Sequence, residues 1–294
     1  MYRVPLSRAY WLIALIPLLF VSTLPHFTHA QDKPYFVTYS QNMEEPGNLE
    51  IETKTALAQP NGGNRYGALA TELEYGAKAW WTTELYLDGQ ATANESTIPT
   101  GFRWENRFRI LMKEHFINPV LYVEFENVSE ADKTMLEVVG HDGQSDLATT
   151  NAEARGEHEH EGELKLILSS NVHDWNISEN FIAEKNLGHD PWEFGYAIAA
   201  SRPLATIYRD CTFCVQKLTL GAEAYGGLGD VWALTIRDTS HYIAPVVGWD
   251  LPGRSRLTFS PGFGLTDTSL DRVYRVGFAV EIPGFGRQLQ EGIR

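Results

Sequence analysis

Val273-Tyr274-Arg275-Val276-Gly277-Phe278-Ala279-Val280-Glu281-Ile282 alternates almost without a break. Successive side chains of an extended strand point to opposite sides. Tyr274, Val276, Phe278, Val280 and Ile282 therefore share one face, and Arg275, Gly277, Ala279 and Glu281 share the other. The first face suits hydrocarbon; the second suits water or close packing of small residues. A half-buried strand of a soluble antiparallel sheet has the same pattern, so the decision rests on the rest of the chain.

Upstream there are more such strands. About twelve segments alternate with period two: 48–58, 66–76, 79–89, 101–112, 118–128, 163–172, 174–185, 192–202, 213–226, 240–250, 254–264 and 272–282. They exceed the usual globular strand of about 5–6 residues and match the roughly 9–11 tilted residues needed to cross a bilayer. No helical periodicity interrupts them. Long connections at 59–65, 90–100, 129–162, 186–191, 227–239 and 265–271 alternate with mostly short ones, 203–212 excepted. An up-and-down barrel with both termini in the periplasm produces this alternation, with longer loops outside. The fold class predicted is all-β: a transmembrane antiparallel β-barrel of about twelve strands over 48–282, with an extracellular loop at about 129–162 and a C-terminal tail at 283–294.

Charge placement agrees. In 101–112, Phe102, Trp104, Phe108 and Ile110 share a face with Asn106, while Arg103, Glu105, Arg107 and Arg109 share the other. An arginine facing lipid at the midplane costs about 2–4 kcal/mol, so the charged face must line the interior. The predicted lumen wall carries Glu50, Glu52, Glu72, Glu74, Glu84, Glu124 and Glu126 against Arg103, Arg107, Arg109 and Lys165. Tryptophans near segment ends suit interfacial girdles. A soluble barrel with an inward apolar face is the competing reading. Against the scheme, Pro245 removes a ladder donor within 240–250, and that segment alternates poorly; a bulge would reconcile both.

Arg3 and Arg8 precede the apolar run Ala9–Leu24, and Thr28-His29-Ala30 supplies a cleavage site. Residues 1–30 read as a secretory signal peptide. Residues 31–47, including 35–40, read as a periplasmic lead-in. Removing Arg3 and Arg8 takes the formal net charge from −14 to −16, which excludes a nucleic-acid partner because phosphate binding needs a basic surface. In an oxidising periplasm Cys211 and Cys214 predict a small disulfide.

Arg275-x-Gly277-x-x-Val280-x-Ile282 resembles the signal read by the barrel-assembly machinery, although the chain continues to Arg294. With Glu74-Tyr75-Gly76, then Trp80-Trp81-Thr82-Thr83-Glu84-Leu85-Tyr86-Leu87, and with Gly262-Phe263-Gly264-Leu265-Thr266-Asp267, the chain resembles uncharacterised Gram-negative outer-membrane barrel proteins. The resemblance covers about 45–282 and implies a fold, the cell outer membrane and a transporter-like role. It carries no catalytic or ligand residues.

Three functions compete on these residues. The first is a passive channel for small hydrophilic solutes or ions, biased to cations by the inward glutamates. The second is a metal-capturing surface protein, since His158-x-His160 on an extended chain puts both imidazoles on one side, with Glu157, Glu159 and Glu161 beside them. The third is a structural barrel with a plugged lumen. Catalysis, as by an outer-membrane lipid hydrolase, is not expected. His141 and Ser145 lie in a loop and no Gly-x-Ser-x-Gly occurs, and a nucleophile needs its base within hydrogen-bond reach. Gly226-Gly227-x-Gly229 lacks the strand-to-helix setting of a nucleotide loop, and no cofactor is specified. Expected partners are outer-membrane lipid, the assembly machinery and small solutes or ions.

Overall fold

A computed structural model of the chain describes residues 34–133, 139–140, 147–188, 190–204 and 218–292. The leader, the Cys211–Cys214 pair and the His141–Ser145 stretch lie outside them. Twelve strands follow in order: β1 (Leu49–Ala58), β2 (Tyr66–Lys78), β3 (Trp81–Thr92), β4 (Thr97–Arg109), β5 (Asn118–Ser129), β6 (His158–Val172), β7 (Trp175–Asn186), β8 (Glu193–Pro203), β9 (Leu218–Asp230), β10 (His241–Leu251), β11 (Ser255–Gly264) and β12 (Arg272–Ile282). Each pairs antiparallel with its sequence neighbours, and β12 returns to β1, from Leu49↔Ile282 to Ala58↔Val273. The sheet is closed, so no edge remains unpaired. The short helices α1 (Asn151–Ala154) and α2 (Phe285–Gly292) are not part of the sheet.

Alternation explains the closure. Leu87 is 53% exposed on the outside, Trp104 51% and Phe181 52%, while their strand neighbours Tyr86, Arg103 and Ile182 are buried. A soluble protein does not wrap itself in such a continuous apolar band; a barrel in lipid must. At the end holding the β2–β3 turn, Trp80, Trp81 and Phe108 stack with centroids 6.3–6.4 Å apart. Outward polar groups find partners on the wall: Trp81 Nε1 donates to Asn106 Oδ1 and Trp104 Nε1 to Thr83 Oγ1, each at 3.0 Å.

Several boundaries differ from expectation. β4 begins at Thr97, so 93–96 is a tight turn through Asn94 at φ 62° rather than a long loop. Ile110 falls in the 110–117 connection instead of the outward stripe. β6 begins at His158, paired with Ser129, so the long loop is 130–157. No bulge rescues β10. Its inner face is simply apolar and small (Tyr242, Ala244, Val246, Gly248), and its register is the same on both sides of Pro245. The β10–β11 ladder lapses over 244–246, where the flanking pairs Ile243↔Phe263 and Val247↔Phe259 bring Pro245 opposite Pro261. Neither proline has a donor to offer.

Of the 31–47 lead-in, residues 35–41 depart from expectation. Tyr35 through Gln41 lie inside the barrel, each less than a tenth exposed. From there the chain leaves past Gly76, whose amide donates to Asn48 O and whose carbonyl accepts from Gly47 N. A Cβ at Gly76 would stand 2.1 Å from the Glu45 carbonyl, which is why this turn requires glycine. Uncharged and aromatic-rich, residues 34–43 are poor material for a solvated leader.

Candidate functional site: the charged lumen

The site is the inner wall, built by register. Residues directly opposite on neighbouring strands point to the same face. Following the pairs from strand to strand gives one unbroken line: Glu281 opposite Glu50, then Glu74, Glu84, Glu105, Glu124, Glu163, Glu184 and Glu193, with Asp230 beside the last. Nine consecutive strands, β12 and then β1 to β8, each contribute a glutamate at the matching rung. Because barrel strands are tilted and staggered, this rung does not circle the lumen at constant height. It starts one residue inside β1, at the end holding the termini, and finishes at the first residue of β8, at the opposite rim. The line is a carboxylate ramp from one mouth to the other.

Like charges on adjacent strands repel, and cations sit on the rungs above and below. Arg107, fully buried, contacts Glu74 and Glu84 and lies 3.0 Å from Glu105 Oε1. Arg103 holds Asp88 at 2.8 Å and approaches Glu124 at 3.7 Å. Lys165 reaches Glu163 at 2.6 Å and lies 4.2 Å from the Tyr122 ring centroid. Lys54 pairs with Glu72 at 2.5 Å and with Glu52 at 3.4 Å. Tyr86 stacks beneath Arg103, 4.3 Å from its guanidinium carbon. Among the described residues, carboxylate oxygens gather within 4.8 Å in two groups, Glu72–Glu74–Glu84 and Glu124–Glu126–Glu163. Lys54 and Arg107 contact the first, and Arg103 and Lys165 flank the second, so the protein's own cations offset part of that charge.

The expected wall residues Glu50, Glu52, Glu72, Glu74, Glu84, Arg103, Arg107, Arg109, Glu124, Glu126 and Lys165 all stand on the inner face. Sequence reading put Arg275 and Glu281 on the water-suited face of the last strand, but it missed Glu163, Glu184, Glu193 and Glu223 as wall residues, although strand parity assigns each of them. The histidines are a different matter. β6 alternation turns His158 and His160 outward with Leu164 and Leu166, while Glu159 and Glu161 turn inward with Glu163. His160 rests against the Phe125 ring, centroids 6.3 Å apart. The five residues therefore do not converge on one metal.

The inner face is not charged throughout. Tyr66, Tyr225, Tyr242, Ala244, Leu270, Val273 and Val139 form an apolar cluster that includes Phe36 and Val37 of the inserted segment. Val139 belongs to the described part of the 130–157 connection. Its Gly140 bridges to Gly229, and Val139 bridges to Gly195. A Cβ at Gly227 would meet Gly140 O at 2.5 Å, so the glycine run on β9 exists to let this loop approach. Asn151 pins the far part of the loop. Its N–H donates to Glu95 at 2.6 Å, its Oδ1 accepts from Gln90 at 2.7 Å and Thr92 at 3.1 Å, and its Nδ2 donates to Ser96 O at 3.0 Å.

No family model and no curated protein matches the sequence. Among solved structures the chain is similar to an outer membrane channel from Pseudomonas putida F1, at 11% identity and TM-score 0.50 over 82% of this chain and 97% of that one. It is also similar to the NanC porin (10% identity, TM-score 0.46, 80% and 100% covered) and the KdgM porin (7%, 0.45, 79% and 98%). With its closed wall and lipid-facing exterior, the chain has the fold of an outer-membrane β-barrel.

Proposed function

We propose that the chain is an outer-membrane channel for small hydrophilic solutes or ions, with a preference for cations. The carboxylate ramp is the observation that carries this reading. A structural barrel needs inward polar groups, but it has no need of glutamate on every rung from mouth to mouth, and each adjacent pair costs stability unless compensated. A confined lumen screens fixed charge poorly, so an acidic wall raises the local concentration of cations. Arg107 sits among Glu74, Glu84 and Glu105, while Arg103 approaches Glu124 and Lys165 pairs with Glu163 at mid-strand. Beyond them the line runs on through Glu184, Glu193 and Asp230, and these acidic groups bias the field at the outer mouth. A second reading, the plugged structural barrel, is favoured by the inserted segment and the folded loop. Single-channel recording in planar bilayers separates the two. Unitary current steps are expected from the channel, and a silent bilayer holding correctly folded, heat-modifiable protein would favour the structural barrel.

A further inference from the structure

Three successive backbone amides of the inserted segment converge on one carboxylate. Phe36, Val37 and Thr38 donate to Glu223 at 3.3, 3.0 and 3.1 Å, and Thr38 Oγ1 adds a fourth contact at 3.3 Å. Asn180 clamps the next residue from both sides, accepting from Tyr39 N at 2.6 Å and donating to Tyr39 O at 2.9 Å. Tyr35 Oη reaches Ser201 at 2.8 Å and Asn176 at 3.0 Å, and Tyr39 Oη donates to Glu105 at 2.8 Å. Arg107 and Arg109 donate to the carbonyls of Asn42 and Gln41 at 3.0 and 3.3 Å. The segment thus crosses from β9 to β3 and β4 and touches the ramp at Glu105, on the half of the lumen near the termini.

Its means of attachment matters. Among the described residues the segment forms no bridge with any strand; wall side chains supply its partners in place of a ladder. A ladder rung would tie it to the barrel's own folding. Side-chain contacts of this kind are individually weak once exchange with water is counted, and a wall residue can give them up one at a time. Residues 34–43 carry no charge, so withdrawal moves none through an acidic lumen.

From this geometry we infer that residues 34–42 form a detachable plug, seated on Glu223 and Asn180 and withdrawn when the lumen opens. The inference rests on the channel reading above for what the withdrawal does. The test places a reporter at Ser40, which is buried in the lumen and whose hydroxyl accepts from the Asn42 amide. Ser40→Cys, in a Cys211→Ser and Cys214→Ser background, is labelled in folded, reconstituted protein with a small charged methanethiosulfonate reagent. Slow labelling is expected in this parent, and at least tenfold faster labelling when either Glu223→Ala or Asn180→Ala is added. Two seat variants are used because Glu223→Ala also strands Arg275, 3.8 Å away; heat-modifiable migration confirms that each barrel is closed. Rates within twofold of the parent in both variants, or a parent that labels as fast as unfolded protein, would overturn the plug. Current recorded from the same preparations keeps the two claims apart. Fast labelling without current in any variant upholds the plug and removes the channel, whereas equal current with unchanged labelling upholds the channel and removes the plug.

Discussion

Arg107 shows how a single residue can hold a barrel wall together. Its guanidinium lies among Glu74, Glu84 and Glu105 and also donates to the inserted segment. Removing one partner of a buried ion pair costs about 3–5 kcal/mol, because the remaining charge keeps its desolvation penalty. Arg107→Met is therefore expected to lower the unfolding free energy in lipid vesicles by about that amount, read from the urea midpoint at constant slope. An unchanged midpoint would mean that the three carboxylates find other compensation. Glu95 acts outside the bilayer. Slight desolvation works against its ionised form, but hydrogen bonds from Asn64 and the Asn151 amide, with the charge of Lys133, hold its carboxyl below the usual glutamate value. A carboxylate depressed in the folded state contributes stability above its unfolded pKa and loses it as pH falls through the folded value. Acidification below about 4.3 should therefore free the 147–157 part of the loop, and Glu95→Gln should abolish that acid step. A spin label at the exposed Ala152 reports it; identical mobility profiles in both proteins would show that Glu95 does not pin the loop.

At the scale of the strand, one face meets lipid and the other meets the ramp, and the two respond oppositely to charge. Leu166, outward on β6 and 42% exposed, lies between the inward pair Lys165 and Ile167. Leu166→Arg is expected to cost about 2–4 kcal/mol in a bilayer; a cost near zero would place this position outside the hydrocarbon. The same period-two logic makes the strands legible in the amino-acid sequence, and with them the inward direction of the charged residues. Register is not legible there, because nothing in a single strand says which rung faces which. The ramp appears only once Glu50, Glu74 and Glu84 are known to stand opposite one another. Strand ends at Thr97 and His158 are hidden by turn chemistry, since a tight turn through Asn94 and a strand rising beyond the bilayer both read as loop. The poor alternation near Pro245 needs no bulge. It marks a strand whose inner face packs on tyrosines and on residues 34–41 instead of water, and a local sequence pattern does not record which remote segment covers it.

For the whole molecule, a loop contact, an inserted segment and an acidic line coexist. Val139 and Gly140 bridge to the outer ends of β8 and β9, residues 34–42 cross the lumen nearer the other end, and the glutamate line passes both. Charge selectivity is the property that a filled structural barrel lacks and that a ramp of this composition imposes. The most direct measurement is the zero-current potential across a planar bilayer under a KCl gradient, recorded on the parent protein and on Asn180→Ala. A potential of cation-selective sign is predicted, moving towards zero when Glu124→Gln and Glu163→Gln are combined. A potential of anion-selective sign would show that Arg103, Arg107 and Lys165 govern the lumen, and would contradict the account.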